Sequence, residues 1–313
     1  MTTEDRHQIV VGVDGSHHAR NALRWGVRLA RVLADTVTAL HGVGLVEHIG
    51  DALVPAHPHR AEVRETVERE WCGALARAGL PHRVEVIERP AVDALLAAVN
   101  QRPTDLVVVG TRGLRLAGAQ ALGSTALQLL RLAPVPVLVV PDPSDGRSVE
   151  ARRLVVGFDG SEASFAALHW SAQLAARSGA SCEVVAVAEE TPVFPLGPGT
   201  TASSAGEEQA PSRLRGLAEE ACAPLDAANV PHRVTVRRGQ AAATLVAIAR
   251  AHHADLIVVG SSGAGSRGDP LLGSVSRRVA HDADRPVAVI PGPGTDRRRT
   301  GSLVPAGVAD RHS

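Results

Sequence analysis

The sequence predicts an α/β protein of two tandem Rossmann-like domains, each a five-stranded parallel sheet flanked by helices. Three observations lead there. A chain of 313 residues suits two units of about 150 better than one. The chain is also written twice: VVGVDGS at 10–16 returns as VVGFDGS at 155–161, GLPHRVEV at 79–86 as NVPHRVTV at 229–236, and DLVVVGTRG at 105–113 as DLIVVGSSG at 255–263. Within each copy, short β-branched runs alternate with longer helical patterns, which is how βαβ units with a sheet buried on both faces read.

In the first copy the apolar runs place strands near 8–13, 36–43, 82–88, 105–110 and 136–140, separated by helices near 17–34, 60–79, 91–101 and 123–133. The second repeats the order, with strands near 153–158, 181–188, 232–237, 255–260 and 286–290. The offset between copies grows from 145 to 150 residues, and the gain falls at TPVFPLGPGTTASSAGEEQAPS (191–212), whose composition reads as a mobile surface loop. PDPSDGRSVEA (141–151) has linker composition. The expected domains are therefore 1–143 and 152–292, with a flexible tail over 293–313. Two cores are expected, built from aliphatic side chains because Trp, Phe and Tyr number 3, 3 and 0.

Composition removes several functions. Every basic side chain among the 33 is arginine, so neither a Walker A loop nor a pyridoxal Schiff base can be built. A formal net charge of +0 lacks the positive footprint of a DNA binder, and so few aromatics leave little for single strands to stack on; no nucleic-acid partner is expected. Cys72, Cys182 and Cys222 form no CxxC pair, which argues against a zinc site or a disulfide framework and suits the reducing cytoplasm. The N-terminal MTTEDRHQIV is not signal-like, and no run reaches ~18 apolar residues, so no membrane contact is expected.

In open parallel sheets ligands settle beyond the carboxyl ends of the strands where the winding reverses, which directs attention to the loops after the first and fourth strands. After the fourth strand, Gly110, Gly113 and Gly123-Ser124 stand at the spacing GxxGx9GS, and Gly260, Gly263 and Gly273-Ser274 repeat it. Such glycines let backbone N–H groups approach phosphate oxygens, and Gly-Ser at a helix start adds unpaired donors and the positive end of the dipole. Each N–H to a charged oxygen contributes roughly 1.5–3 kcal/mol and the helix end roughly 0.3–2. A few of them reach the about 8 kcal/mol of micromolar binding. The alternative is that the glycines only form turns and that Ser124 and Ser274 are helix caps.

From residue 8 to 291 the chain resembles tandem-domain universal stress proteins of the ATP-binding type, on the strength of VVGVDGS, VVGFDGS and the two GxxGx9GS loops. That resemblance implies an adenine nucleotide alpha hydrolase-like version of the fold and ATP as the ligand. In the first half Gly110, Thr111, Arg112, Gly113, Gly123, Ser124 and Thr125 correspond to the phosphate and ribose loop, and in the second half Gly260, Ser261, Gly263, Gly273, Ser274 and Val275 do. Gly12 and Asp14, with Gly157 and Asp159, match the end of the family's first strand; Val187 matches an adenine contact, for which the first copy has Gly42. An aspartate beside a triphosphate repels it unless a cation lies between or the carboxylate faces the ribose, so Mg2+ is an expected companion. Alternatively, Asp14 and Asp159 cap the helices that follow.

The loops differ in charge: Arg112 and Arg115 in the first; Ser262, Arg267, Asp269 and Pro270 in the second, where Asp269 must point outward if anions bind. The apolar fifth strands, APVPVLVVP (133–141) and DRPVAVIPG (284–292), read as open edges. Val137, Val139, Val287 and Val289 are expected to join the halves as a pseudo-dimer, and a homodimer of chains stays open. The pairs His17-His18 and His252-His253 and the HPH at 57–59 lack metal-ligand spacing, and Arg297–Arg299 read as a solvated end. His41, Cys72 and Cys222 read as core or half-buried positions. With no His or Glu recognised at the loop ends as a general base, the leading reading is an ATP-binding regulatory module of the stress response. A slow ATP hydrolase or adenylating enzyme, and a nonbinding interaction protein, are the alternatives.

Overall fold

The computed structural model describes residues 8–34, 36–44, 46–49, 52–55, 59–113, 122–142, 150–189, 204–263 and 272–293. The first half runs β1 (Gln8–Gly12), α1 (His17–Leu33), β2 (Thr36–Gly42), β3 (Val46–Ile49), β4 (Ala52–Pro55) and α2 (Arg60–Thr66). A π turn at Val67–Trp71 leads into α3 (Gly73–Arg77), followed by β5 (His82–Ile87), α4 (Ala91–Gln101), β6 (Thr104–Gly110), α5 (Ser124–Leu132) and β7 (Val137–Val140). The second half runs β8 (Arg153–Phe158), α6 (Glu162–Ser178), β9 (Ser181–Ala188), α7 (Ser204–Glu220), α8 (Ala223–Ala227) and β10 (His232–Arg238). It closes with α9 (Ala241–Ala251), β11 (Leu256–Gly260), α10 (Ser274–Asp282) and β12 (Val287–Ile290).

Ten strands form one sheet in the order β10-β9-β8-β11-β12-β7-β6-β1-β2-β5. Every neighbour pair is parallel except β12 with β7, which run antiparallel with Val287 opposite Val139 and Val289 opposite Val137. The two apolar final strands thus satisfy each other's backbone groups where each would otherwise be an open edge. All four valines are at most 2% exposed, so each contributes on the order of 1.5–3 kcal/mol of burial. The chain also forms an antiparallel hairpin of β3 and β4, absent from the sequence-based expectation.

The apolar core divides by face of the sheet and not by half. One cluster unites Leu29 and Leu138 with Leu168 and Ala288 under α1 and α6; the other unites Leu95 and Val139 with Leu245 and Val287 under α4, α5, α9 and α10. This corrects the expectation of one core per domain. The antiparallel seam makes the sheet continuous, so the side chains of β7 and β12 pack with both halves at once. Arg177 adds a polar tie, donating from Nη1 to the carbonyls of Val32 and Leu33 at 3.4 Å.

A second correction concerns the insertion at 191–212. Residues 191–203 lie outside the described ones, but 204–212 belong to α7 and form no loop. The segment is rich in Ala, Glu and Gln, good helix formers. Downstream Leu214 packs on the core and Ala218 is fully buried, which anchors the helix despite Pro211 in its interior.

Candidate functional site

The winding reverses between β1 and β6 in the first half and between β8 and β11 in the second. A crevice therefore opens at the carboxyl ends of each pair, flanked by the loops at 13–16 and after Gly110, and by those at 158–161 and after Gly260.

The loop after β1 is fixed by its own side chains. Ser16 caps α1, its Oγ accepting from the Ala19 N–H at 3.1 Å, and Asp14 Oδ1 accepts the Ser16 N–H at 3.0 Å. Gly15 makes the turn between them at φ +79°, a left-handed conformation that a side chain would strain. The second half repeats this: Ser161 caps α6, and Asp159 Oδ1 accepts the Ser161 N–H at 3.0 Å and its hydroxyl at 2.6 Å. The caps belong to the serines, and each aspartate holds its cap by one oxygen. The other oxygen faces the glycine loop, so close that a Cβ at Gly113 would lie 2.5 Å from Asp14 Oδ2 and one at Gly263 2.9 Å from Asp159 Oδ2.

The glycine loops are built from main chain. The Thr111 N–H donates to the Val140 carbonyl at 2.9 Å, and the Gly123 N–H donates to the Thr111 carbonyl at 2.7 Å. Ser261 with Ile290, and Gly273 with Ser261, reproduce both bonds at 2.7 Å. Gly123 and Gly273 are the N-caps of α5 and α10, and neither helix has a side-chain cap. The first helical bonds are Leu127 N–H to Gly123 and Arg277 N–H to Gly273, both 3.0 Å. No helical carbonyl therefore reaches the first-turn amides of Ser124 and Thr125, or of Ser274 and Val275. Two sequence readings change. Ser124 and Ser274 are first-turn residues, not caps, and the Gly123 and Gly273 amides are already bonded within the loop, so that only the amides after them have no helical acceptor.

Gly12 and Gly157 face inward, where a Cβ would meet Val109 and Leu95 in one half and Leu245 and Val259 in the other. Gly110 touches the first turn of α1, a Cβ there lying 2.5 Å from His18 Cβ and 2.8 Å from its carbonyl carbon; at Gly260 the obstacle is Ala163, 2.6 Å away. Both strand ends pack against the helix that starts the opposite wall.

The surrounding side chains differ between the halves. In the first, His18 Nδ1 lies 3.1 Å from Thr111 Oγ1. Burial and the Arg112 guanidinium hold the His18 pKa below its ordinary value, against the opposing pull of Asp142 and Asp14. Trp71 lies over Gly15 and meets the buried His41 edge-on at 5.0 Å, while His41 Nδ1 bonds the Val13 carbonyl at 2.8 Å. In the second half Ala163, Ser261 and Leu217 take these places, and Phe158 meets Phe165 edge-on at 5.2 Å. At Gly42 the backbone of Ala91 fills the space where a side chain would start, 2.6 Å from a Cβ, whereas Val187 is half-buried against the α9 face. His18 and Trp71 are what sequence reasoning missed: the first reads only as part of a histidine pair, and nothing local singles out the second.

Arg115, Arg267, Asp269, Pro270 and Arg297–Arg299 lie outside the described residues. Of the other histidines, His59 Nδ1 lies 2.9 Å from the Glu62 carboxylate, and His252 Nδ1 bonds the buried Glu183 at 2.6 Å near the amino ends of the strands. Among the described residues no three His, Cys, Asp or Glu side chains group to hold a metal, so magnesium at Asp14 or Asp159 would depend on phosphate oxygens for further ligands. Cys72 and Cys222 are buried, their thiols pushed up to about 12 and about 11 by burial, which keeps them inert at neutral pH. No described helix is long and apolar enough to cross a membrane.

The sequence model of the universal stress protein family matches residues 5–141 and again 150–291. A universal stress protein of Mycolicibacterium smegmatis is 31% identical over 296 residues, covering 90% of this chain and 96% of its own. Universal stress protein Rv2623 of Mycobacterium tuberculosis is 30% identical over 294 residues, covering 90% and 95%. The crystal structure of a universal stress protein from Archaeoglobus fulgidus superimposes with a TM-score of 0.65 at 18% identity, covering 94% of this chain and 98% of that one; at that identity it speaks for the fold.

Proposed function

This chain belongs to the universal stress protein family, and from that premise we propose that it is a regulatory module of the stress response that binds ATP at the carboxyl end of each half-sheet. One observation carries the reading: twice in the chain, a helix that starts on glycine presents uncapped first-turn amides to the crevice at the switch point of the sheet. On the opposite wall an aspartate is held against a glycine that has no room for a side chain. Ser124 and Thr125, and Ser274 and Val275, would hold phosphate through their amides, and Gly113 and Gly263 let the backbone come close. Arg112 would add charge in the first mouth. Magnesium would neutralise the charge between the phosphates and Asp14 or Asp159.

Binding suffices for such a role, because a ligand that binds one of two surface states more tightly than the other shifts their populations by that difference without a chemical step. His18, the titratable group that the first mouth adds, is bonded to Thr111 and so steadies the loop. The domains are 1–143 and 152–292, and the β7–β12 pairing supports reading the chain as a pseudo-dimer of its own halves. Its buried free thiols suit the cytoplasm.

Isothermal titration of the full chain with ATP and magnesium tests the proposal. Two ATP per chain are expected, one after Gly113→Val, and none after Gly113→Val with Gly263→Val while far-UV circular dichroism is preserved. Full stoichiometry in the double variant, or no binding to the wild type, refutes it.

A further inference from the structure

We propose that the two mouths read different parts of a ligand: the first takes a polyphosphate tail with or without a nucleoside attached, and the second requires the base as well. This rests on the ATP reading of the mouths and assigns to each its own ligand class.

The order of the strands decides where a base would lie. β1 stands between β6 and β2, and β8 between β11 and β9. Phosphate held at the start of α5 or α10 is on the β6 or β11 side of the crevice. The rest of a nucleotide, crossing the Asp-Gly-Ser turn, arrives about 10 Å further along the sheet, over the end of β2 or β9. Gly42 and Val187 stand there.

The turns beside those two strand ends give them different shapes. In the first half β5 leads into α4 through Glu88-Arg89-Pro90. Proline confines Arg89 to extended backbone, and the Arg89 N–H folds back to the Ile87 carbonyl at 2.8 Å, closing a three-residue turn. That turn brings its main chain onto β2: a Cβ at Gly42 would lie 2.6 Å from the Ala91 Cα and 2.8 Å from the Arg89 carbonyl oxygen. The place for a base is closed by backbone and offers no apolar side chain. In the second half the same stretch reads Arg238-Gly239-Gln240. Gly239 takes φ +132°, which a side chain would strain. Its N–H donates across to the Ala188 carbonyl on β9 at 3.2 Å instead of back along its own strand. This arrangement leaves β9 room for the Val187 side chain, which is half-buried against the α9 face and keeps apolar surface for a flat ring.

Charge divides the mouths in the same direction. The first adds His18 and Arg112 beside the loop amides, where the second has Ala163 and Ser262. A guanidinium attracts phosphate oxygens whatever the phosphate carries. One mouth therefore gains affinity for the tail, and the other for the base.

Variants of the full chain that each keep one mouth test this, Gly263→Val for the first and Gly113→Val for the second, titrated with ATP, GTP and inorganic triphosphate in the presence of magnesium. At the first mouth the three affinities should agree within about threefold, and at the second ATP should bind at least about tenfold more tightly than triphosphate. In the wild type, triphosphate should displace one of two bound ATP at a concentration that leaves the other in place. An equal preference for ATP over triphosphate in both variants, or displacement of both ATP together, would overturn the assignment while leaving the ATP reading intact. No ATP binding to the wild type would remove that reading, and the assignment with it.

Discussion

In the first mouth a histidine touches the loop threonine, an arginine follows it, a tryptophan covers the Asp-Gly-Ser turn, and the second strand ends in glycine. In the second mouth the same stations hold Ala163, Ser261, Ser262, Leu217 and Val187. The backbone underneath agrees bond for bond: Thr111 to Val140 and Gly123 to Thr111 on one side, Ser261 to Ile290 and Gly273 to Ser261 on the other. A receptor made of main-chain amides asks only that a few positions stay glycine, so its neighbours are released to differ. In the proposed ATP sites, phosphate contacts would thus be common to both mouths, while charge, proton affinity and the fit of a flat base are where they would part.

The comparison presumes that both mouths sit on one cooperative sheet. Val287→Asp attacks that premise by placing an unpaired carboxylate in the seam opposite Val139, where Val287 is 1% exposed. The expected cost is about 3–5 kcal/mol. Chemical denaturation should show a single transition at a much lower midpoint, with ATP binding lost from both mouths together. Survival of the first mouth alone would mean that the halves fold as separate units.

Next in size are the strand-end glycines. Gly110→Val drives a side chain into the first turn of α1, and Gly260→Val into that of α6. Each should cost about 1–3 kcal/mol of stability as an overpacking change and remove one ATP of two, measured by titration and thermal melting. Equal losses would show that the shared backbone dominates. A larger binding loss at Gly110 would show that the displaced His18 also matters.

Much of this was legible in the residues. Apolar runs placed all ten strands of the main sheet close to their observed spans: the inner strands are largely buried and read as apolar runs, whereas the part-exposed edge strands β5 and β10 show by alternation of polar and apolar residues. The GxxGx9GS spacing located both glycine loops, because only glycine tolerates the contacts that Gly110 and Gly113 make. What was illegible depends on packing between distant segments. The β3–β4 hairpin had a signal, the pair Gly50-Asp51 between two short segments, but it lay inside a stretch without clear periodicity. The π turn that ends at Trp71, closed by the Cys72 N–H to the Val67 carbonyl at 3.0 Å, has no local code. His18 looked like half of a histidine pair because its partner, Thr111, is 93 residues away.

A smaller effect separates the mouths at the second strand. Val187→Gly gives the second mouth the residue of the first and removes a half-buried apolar surface, so affinity for ATP there should fall up to about tenfold, or about 1.4 kcal/mol. The reverse exchange, Gly42→Val, should not strengthen the first mouth, because the Ala91 backbone already fills that space; it should lower the melting temperature instead. Competition titrations with ATP and with inorganic triphosphate separate base from phosphate, and only the ATP affinity should respond to Val187→Gly.

The finest distinction is a proton. Burial and Arg112 set the folded pKa of His18 below its ordinary 6.5, so between 6.5 and the folded value the unfolded chain binds the proton and the folded chain does not. Stability is then full above about pH 6.5 and declines as pH falls through that window, to a constant level below it. Bound polyphosphate reverses the preference, since its negative charge favours the imidazolium beside Thr111, and ATP binding to the first mouth should take up a fraction of a proton, at most about one, in the same window. The second mouth has Ala163 at that station and should take up none there. His18→Ala therefore makes the first mouth copy the second. Titrations of wild type and variant in buffers of different ionisation enthalpy, at pH 6 and pH 8, should show proton uptake at the lower pH that the substitution removes. Uptake that persists in the variant would move the proton to another group.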